Sequence, residues 1–391
     1  MNRVMNEKLT CVVRPERMAL IGVGGAGGAI IGLVAERLAG GPIVAAVNTD
    51  YQALERCCVP TRVQIGARLT RGLGTGGDPA KGRTAVDEEA VLLNALCAGK
   101  DLVIFVAGLG GGTGSGATPA LVRIAHENNA IALCVTTMPF DYEGEAIRRL
   151  AEETITELRG LADAVLVIPN QRLFSSPAAG TPHEEAFVRA NAMIADGITG
   201  LWQMVVTQGF MHITLADIRA VASKSDGILV FGCGAATGPG RAARAAQQAI
   251  GSHLLDGGQT LIAADTVLAS VVGGPETSFA EIEQVVETVR QAARPGALLK
   301  VGPTLTAAQD SNLCVTLILP DAARRSDTRL SMPAAVAATG EGGPPGGRPV
   351  QTQLQLESIS QGRFKDVDPT MHDGQNLDVP TWKRRGLVID K

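Results

Sequence analysis

The sequence predicts an α/β protein: a parallel β-sheet with helices on both faces, a long central helix, and a second, smaller α/β region. Three observations predict it. Short apolar runs alternate with helix-period segments from position 18 to about 170. The 391 residues are 45% hydrophobic but only 3% aromatic, so the core is built from Ala, Val, Leu and Ile, as suits helices packed on parallel strands. Two glycine clusters, "GVGGAGG" (22–28) and "GGGTGSG" (110–116), each stand between a strand-like run and a helix-like one.

The elements follow in order. Residues 1–17 are mixed and polar and read as a tail. "MALIGV" (18–23) is a buried-strand pattern, "AIIGLVAERLAG" (29–40) a helix, and "PIVAAVNTD" (42–50) the next strand. A brief apolar run, "RVQIG" (62–66), precedes a long glycine loop, "LTRGLGTGGDP" (69–79). A helix over 82–99, a strand over 101–108 and a helix over 117–128 come next. Then follow a strand (130–139), a helix (144–160) and a strand (163–170). The apolar period over 183–206 predicts the long central helix. A second alternating region runs from "ILVFGCG" (228–234) to "NLCVTLILP" (312–320). The expected organisation is a first domain over 18–207, a second domain over 208–320, a flexible linker over 321–375 rich in Gly and Pro, and a terminal peptide over 376–391.

Composition excludes several classes. A net charge of −4 argues against nucleic acid as the main partner. Seven cysteines include no C-x-x-C pair, and Cys57 and Cys58 are adjacent, so a reduced, cytoplasmic protein is expected. No run reaches the roughly 18–20 apolar residues that span a bilayer, and the first 17 residues lack the apolar core of a secretory signal. Direct membrane insertion is not expected.

The glycine clusters carry the chemistry. "GVGGAGG" satisfies G-x-G-x-x-G through Gly22, Gly24 and Gly27, and Asp50 ends the next strand, which keeps a dinucleotide-binding domain open. Tight helix–strand packing alone is the plainer reading. The second cluster has no place in a simple dinucleotide site. Two glycine loops at two helix N-termini can hold one polyphosphate between N–H groups and helix dipoles, with Thr113 and Ser115 as hydroxyl donors. No lysine follows the glycines, so this is not a Walker loop.

These residues carry a resemblance. "GGGTGSG" is similar to the tubulin signature loop, and "IGVGGAGG", "AVNTDYQAL", "QIGARLTRGLGTGGDP", "PFDYEG" and "VIPNQRL" resemble segments of the FtsZ family, in that family's order. The likeness covers roughly 18–320 and resumes at "LDVPTWKRR" (377–385). It implies a tubulin/FtsZ-like fold and a GTP/GDP cofactor, with Mg2+ allowed beside the phosphates. It also implies head-to-tail self-assembly into filaments at the cytoplasmic division site, and hydrolysis completed by a loop of the neighbouring subunit. Co-assembly with another FtsZ, and membrane-tethering division proteins of the FtsA or ZipA type, are the further partners implied. Such tethers would dock on Leu377, Asp378, Val379, Pro380, Trp382, Lys383 and Arg384.

Carried over position by position, the resemblance assigns the phosphates to Gly25, Ala26, Gly27, Gly28 and to Gly110, Gly111, Gly112, Thr113, Gly114, Ser115 and Gly116. It gives Glu143 to the ribose, Phe187 to the base, and Asn170 to the nucleotide's vicinity. Departures are as informative. Ala29 replaces an Asn, Ile147 an Arg (Arg148 is next door), and Ala192 stands at the position of the base-reading Asp. A lost base-edge hydrogen bond costs about 1–3 kcal/mol, so guanine selectivity is expected to weaken. In the catalytic loop "MHITLAD", His212 and Thr214 replace Asn and Asp, leaving Asp217 as the surviving carboxylate. Attenuated hydrolysis is the consequence, or a non-hydrolysing paralogue that regulates an intact FtsZ.

Overall fold

Parallel strands must be buried on both faces, and β1 shows how this chain manages it. The structure is a computed structural model that describes residues 14–38, 41–173, 183–206, 213–224, 227–305, 311–321, 371–372 and 375–376. The strands of the main sheet are β1 Met18–Val23, β2 Ile43–Asn48, β3 Thr61–Gln64, β4 Leu102–Gly108, β5 Ile131–Met138, β6 Ala164–Pro169, β7 Ile228–Thr237, β8 Thr266–Gly273, β9 Leu298–Leu305 and β10 Asn312–Pro320. The helices are α1 Gly24–Arg37, α2 Tyr51–Glu55, α3 Ala67–Thr70, α4 Pro79–Glu88, α5 Ala90–Cys97, α6 Gly112–Glu127, α7 Glu145–Leu161, α8 Asn170–Leu173, α9 His183–Val206, α10 Leu215–Ser223, α11 Arg241–Ile250, α12 Gln259–Ala263 and α13 Phe279–Ala292. Along β1, Met18 and Leu20 enter one core with α1 and α9, while Ala19, Ile21 and Val23 enter a second with α4 to α7. Side chains alternate across a strand, so six consecutive apolar residues serve two layers.

The sheet runs β3-β2-β1-β4-β5-β6-β7-β10-β8-β9. β3 through β7 are mutually parallel, and β10 is antiparallel to both its neighbours. The order reverses between β1 and β4, the place where an α/β sheet opens a crevice at its carboxyl ends. The second alternating region therefore continues the same sheet, and a third core under α11 and α13 covers it. The central helix α9 joins the halves. A Cβ on its Gly197 would lie 1.9 Å from the Phe231 ring of β7, and one on Gly200 2.3 Å from Thr316 Oγ1 of β10. Mid-helix glycine costs about 1 kcal/mol relative to Ala, and here it allows the helix to lie directly on the strands.

Two differences from the sequence reading have plain causes. The helix expected over 82–99 is two, α4 and α5, broken at Glu89 with φ −115° and ψ 22°. The glycine clusters are not free loops: α1 starts at Gly24 and α6 at Gly112, so most of the glycines lie in the first helical turns. In a unit of its own, β11 Met371–His372 pairs antiparallel with β12 Gln375–Asn376. The partner-docking residues Leu377 to Arg384 lie outside the described residues, as does most of the expected linker. No described helix is long and apolar enough to cross a membrane.

Candidate nucleotide site

Two helices aim their N-termini at one cleft. α1 follows β1 and α6 follows β4, on either side of the reversal, and neither has a side chain capping its first turn. The first N–H groups of a helix have no partner within it, and its dipole favours an anion there. By contrast, Asp50, Asp78, Thr214 and Ser278 cap α2, α4, α10 and α13.

The glycines divide by what faces them. A Cβ on Gly27 would lie 2.1 Å from the Val106 carbonyl, and one on Gly114 2.1 Å from that of Gly108. On Gly116 it would lie 2.0 Å from the Pro79 carbonyl. These glycines press α1 onto β4, and α6 onto β4 and α4. Gly25 and Gly111 have nothing within 4 Å and are exposed. They leave open backbone where the two N-termini converge.

Around them lies a cleft of about 540 Å³, lined among others by Thr113, Thr75, Phe140, Tyr142, Glu143 and Phe187. Thr113 Oγ1 lies 2.7 Å from Thr49 Oγ1, which fixes its hydroxyl. Ser115 Oγ accepts the Gly110 N–H at 2.9 Å and so stiffens the loop from behind. Phe140 stacks on Tyr142 (5.1 Å between centroids) and meets the edge of Phe187 (5.4 Å). Tyr142 is 71% exposed, leaving a ring face for a flat apolar ligand part. Glu143 Oε1 accepts the Phe140 N–H at 2.7 Å, which anchors the carboxylate at the rim. Such a site has N–H groups and dipoles for phosphates, an acceptor for sugar hydroxyls and rings for a base.

Asp217 is elsewhere. Thr214 caps α10, and Asp217 Oδ2 accepts the Thr214 N–H (2.8 Å), the Thr214 hydroxyl (2.7 Å) and Lys300 Nζ (2.5 Å). Burial alone would raise the Asp217 carboxyl, but the hydrogen bonds from Lys300 and Thr214 and the Lys300 charge outweigh it and hold the group below its usual range. Arg219, on the same helix, pairs with Asp163 at 2.6 Å. Asp163 precedes β6, whereas Asn170, on the cleft wall, follows it. Six residues of strand, roughly 20 Å, separate the two ends. Within one chain the surviving carboxylate and the phosphate cleft lie at opposite ends of the sheet.

The comparisons with known proteins bear directly on this arrangement. Residues 17–177 match the model of the Tubulin/FtsZ family GTPase domain, and 227–322 that of the FtsZ family C-terminal domain. The chain is 35% identical over 300 residues to the cell division protein FtsZ of Buchnera aphidicola from Schizaphis graminum, covering 76% of this chain and 77% of that protein. The chain belongs to the FtsZ family. The structure of an empty FtsZ dimer from M. jannaschii superposes with a TM-score of 0.68 at 32% identity, over 77% of this chain and 87% of that one. The CetZ2 protofilament of Haloferax volcanii, at 23% identity and TM-score 0.65, shares the fold over 80% of this chain and 96% of its own.

The match to the Tubulin/FtsZ family GTPase domain implies guanine-nucleotide binding. The structure brings Gly25, Ala26, Gly111, Gly112, Thr113 and Gly114 to the cleft wall, with Glu143, Asn170 and Phe187. Gly27, Gly28, Ala29, Gly110, Ser115, Gly116 and Ala192 are not on that wall. Gly110 instead backs on Ile147, 2.5 Å from where its Cβ would be. Asp50 is not on that wall either: it caps α2 through the Ala53 N–H. Arg148 is held by Asp141 and Glu152. The Ala192 carbonyl receives Arg37 from α1 at 3.2 Å. Asn191 stands four residues after Phe187 and so on the same face of α9. The sequence reading assigned no role to Thr75, Phe140 and Tyr142, which line the cleft; Asn191 does not line it. Three of the chain's twelve aromatic residues (8 Phe, 2 Tyr, 2 Trp) meeting at one cleft is a signal that only the fold assembles. His212 lies outside the described residues.

Proposed function

We propose that this FtsZ-family chain binds GTP in the glycine cleft, assembles head-to-tail, and hydrolyses the nucleotide only where a second copy supplies Asp217. The placement of Asp217 a strand's length from its own cleft carries the proposal. In that reaction a water oxygen bonds to the γ-phosphorus and the bond to the β–γ bridging oxygen breaks. The diphosphate leaves with that electron pair, and the water's proton passes to the Asp217 carboxylate before release to solvent. Among the described residues no group of three His, Cys, Asp or Glu could hold a metal. A Mg2+ would rest on phosphate oxygens and water, and no step is assigned to it. The test is phosphate release against protein concentration. Activity per molecule that starts only above an assembly threshold supports a shared site; a constant rate down to monomer concentrations refutes it.

The same reading assigns 18–207 to nucleotide binding with α9 as its last element, 208–320 to the incoming face, and 321–375 to a linker. Residues 376–391 become a docking peptide for a membrane-tethered division protein, through Leu377, Val379 and Trp382. Deleting 376–391 is expected to leave assembly unchanged and abolish recruitment to the division site in cells. Normal localisation of the truncated protein refutes the docking role. A second reading, a non-hydrolysing member that co-assembles with an intact FtsZ, is favoured by one observation: Asp217 is spent on a helix cap and an ion pair.

Ala192 has no polar group to read a base edge; Asn191, one helical turn after Phe187 though not on the cleft wall, is the side chain to which residual selectivity is assigned. One side-chain amide reading a base edge discriminates by about 10–100-fold. Equilibrium titration is expected to show GTP binding with ATP within that range, and Asn191→Ala is expected to level the two. A preference beyond about 10³-fold that survives Asn191→Ala places the base reader elsewhere.

A further inference from the structure

We propose that Lys300 is a positioning residue that holds the Asp217 carboxylate in a capped, charge-paired state and thereby limits hydrolysis in the assembled protein. The inference rests on the reading of Asp217 as the carboxylate delivered to a neighbour's nucleotide. It starts from β9, which among the described strands pairs with β8 alone. Lys300 and Gly302 are two residues apart and so share one face of β9. A Cβ on Gly302 would lie 3.1 Å from the Ile213 side chain, which is itself 1% exposed. The strand thus seats the segment leading into α10 with its glycine and reaches over it with its lysine.

The carboxylate's described hydrogen bonds all fall on Oδ2: the Thr214 N–H, the Thr214 hydroxyl and the Lys300 ammonium. Three donors on one oxygen fix the rotamer and draw negative charge to the side of the carboxylate already in use. Oδ1 is left to orient water, as a weakened base. The family's incoming face, as the resemblance gives it, is acidic; here one of its acids is Thr214 and the ammonium balances the other. Such a face meets a polyphosphate with less basicity, and hydrolysis is disfavoured.

Lys300 has a plainer explanation. Lysines on edge strands deter edge-to-edge pairing, and its side chain is 42% exposed. A guard of that kind does not act on the chemical step. The decisive measurement uses the full-length protein and separates two quantities, the critical concentration for assembly and phosphate release per polymerised subunit. Lys300→Met keeps the stem and removes the charge; Lys300→Gln is a second neutral variant should the first fold poorly; Lys300→Arg keeps the charge. Removing one adjacent positive charge is expected to raise release per polymerised subunit roughly three- to tenfold, with the critical concentration unchanged within about twofold. Lys300→Arg is expected to restore the wild-type rate. An unchanged or lower rate per polymerised subunit in both neutral variants overturns the proposal, and so does an Arg variant as fast as the neutral ones. Asp217→Asn in parallel separates the two levels. If it abolishes hydrolysis while the Lys300 variants do not raise it, only the role of Lys300 fails. If it changes nothing, the shared site itself fails.

Discussion

Gly114→Ala is expected to unfold this protein early, and Gly111→Glu to leave it folded but unable to hold nucleotide. The two glycines are three residues apart in one motif, and the sequence treats them alike. Gly114 has the Gly108 carbonyl 2.1 Å from where a Cβ would stand, and that carbonyl belongs to β4. A methyl group there pushes α6 off the sheet. Overpacking against fixed backbone costs about 1–3 kcal/mol, which in a unit this size lowers the melting temperature by roughly 2–5 °C. Gly111 has a φ of −86°, open to any residue, and no atom within 4 Å of its Cβ. A glutamate there is sterically free but sets a carboxylate among the phosphate-binding N–H groups. Thermal unfolding without nucleotide and equilibrium titration of GTP check both claims. Equal melting temperatures for the two variants, or retained GTP affinity in Gly111→Glu, would show that the cleft was assigned to the wrong backbone.

Asp217→Asn is expected to reduce phosphate release by about 10²–10⁴-fold while GTP affinity stays unchanged, because the residue acts on a neighbour's nucleotide and not its own. Asparagine keeps an oxygen for the Thr214 N–H, so α10 retains its cap and the loss is not one of folding. Mixing is the sharper experiment. Asp217→Asn subunits have a sound cleft without an incoming carboxylate; Gly111→Glu subunits have the carboxylate without a cleft. Each alone is expected to be inactive, and a mixture is expected to recover part of the wild-type rate, since some interfaces then combine the two intact halves. A mixture as inactive as its components, with assembly confirmed by sedimentation, places the catalytic group within one chain.

Much of this was legible in the sequence, for identifiable reasons. Strand β1, helix α9 and the alternation from β4 to β6 follow from apolar periodicity, a local property that burial on both sheet faces imposes residue by residue. That each glycine cluster opens a helix after a strand was also readable, because a dense glycine run states a backbone need. Which glycine meets which need was not: Gly114 and Gly111 differ only in what β4 and the cleft place opposite them. The phase of Asn191, one turn after Phe187, was legible too, since the apolar period already predicts α9. Lys300 gave no signal at all. It is 83 residues from Asp217, and only the order of strands at the edge of a ten-stranded sheet brings the ammonium to the carboxylate. The sequence by itself determined the family and most of the elements, since those are written in local pattern. Tertiary structure alone decided that the remaining carboxylate is paired with a lysine and lies a strand's length from its own cleft, because both depend on which distant segments the sheet makes neighbours.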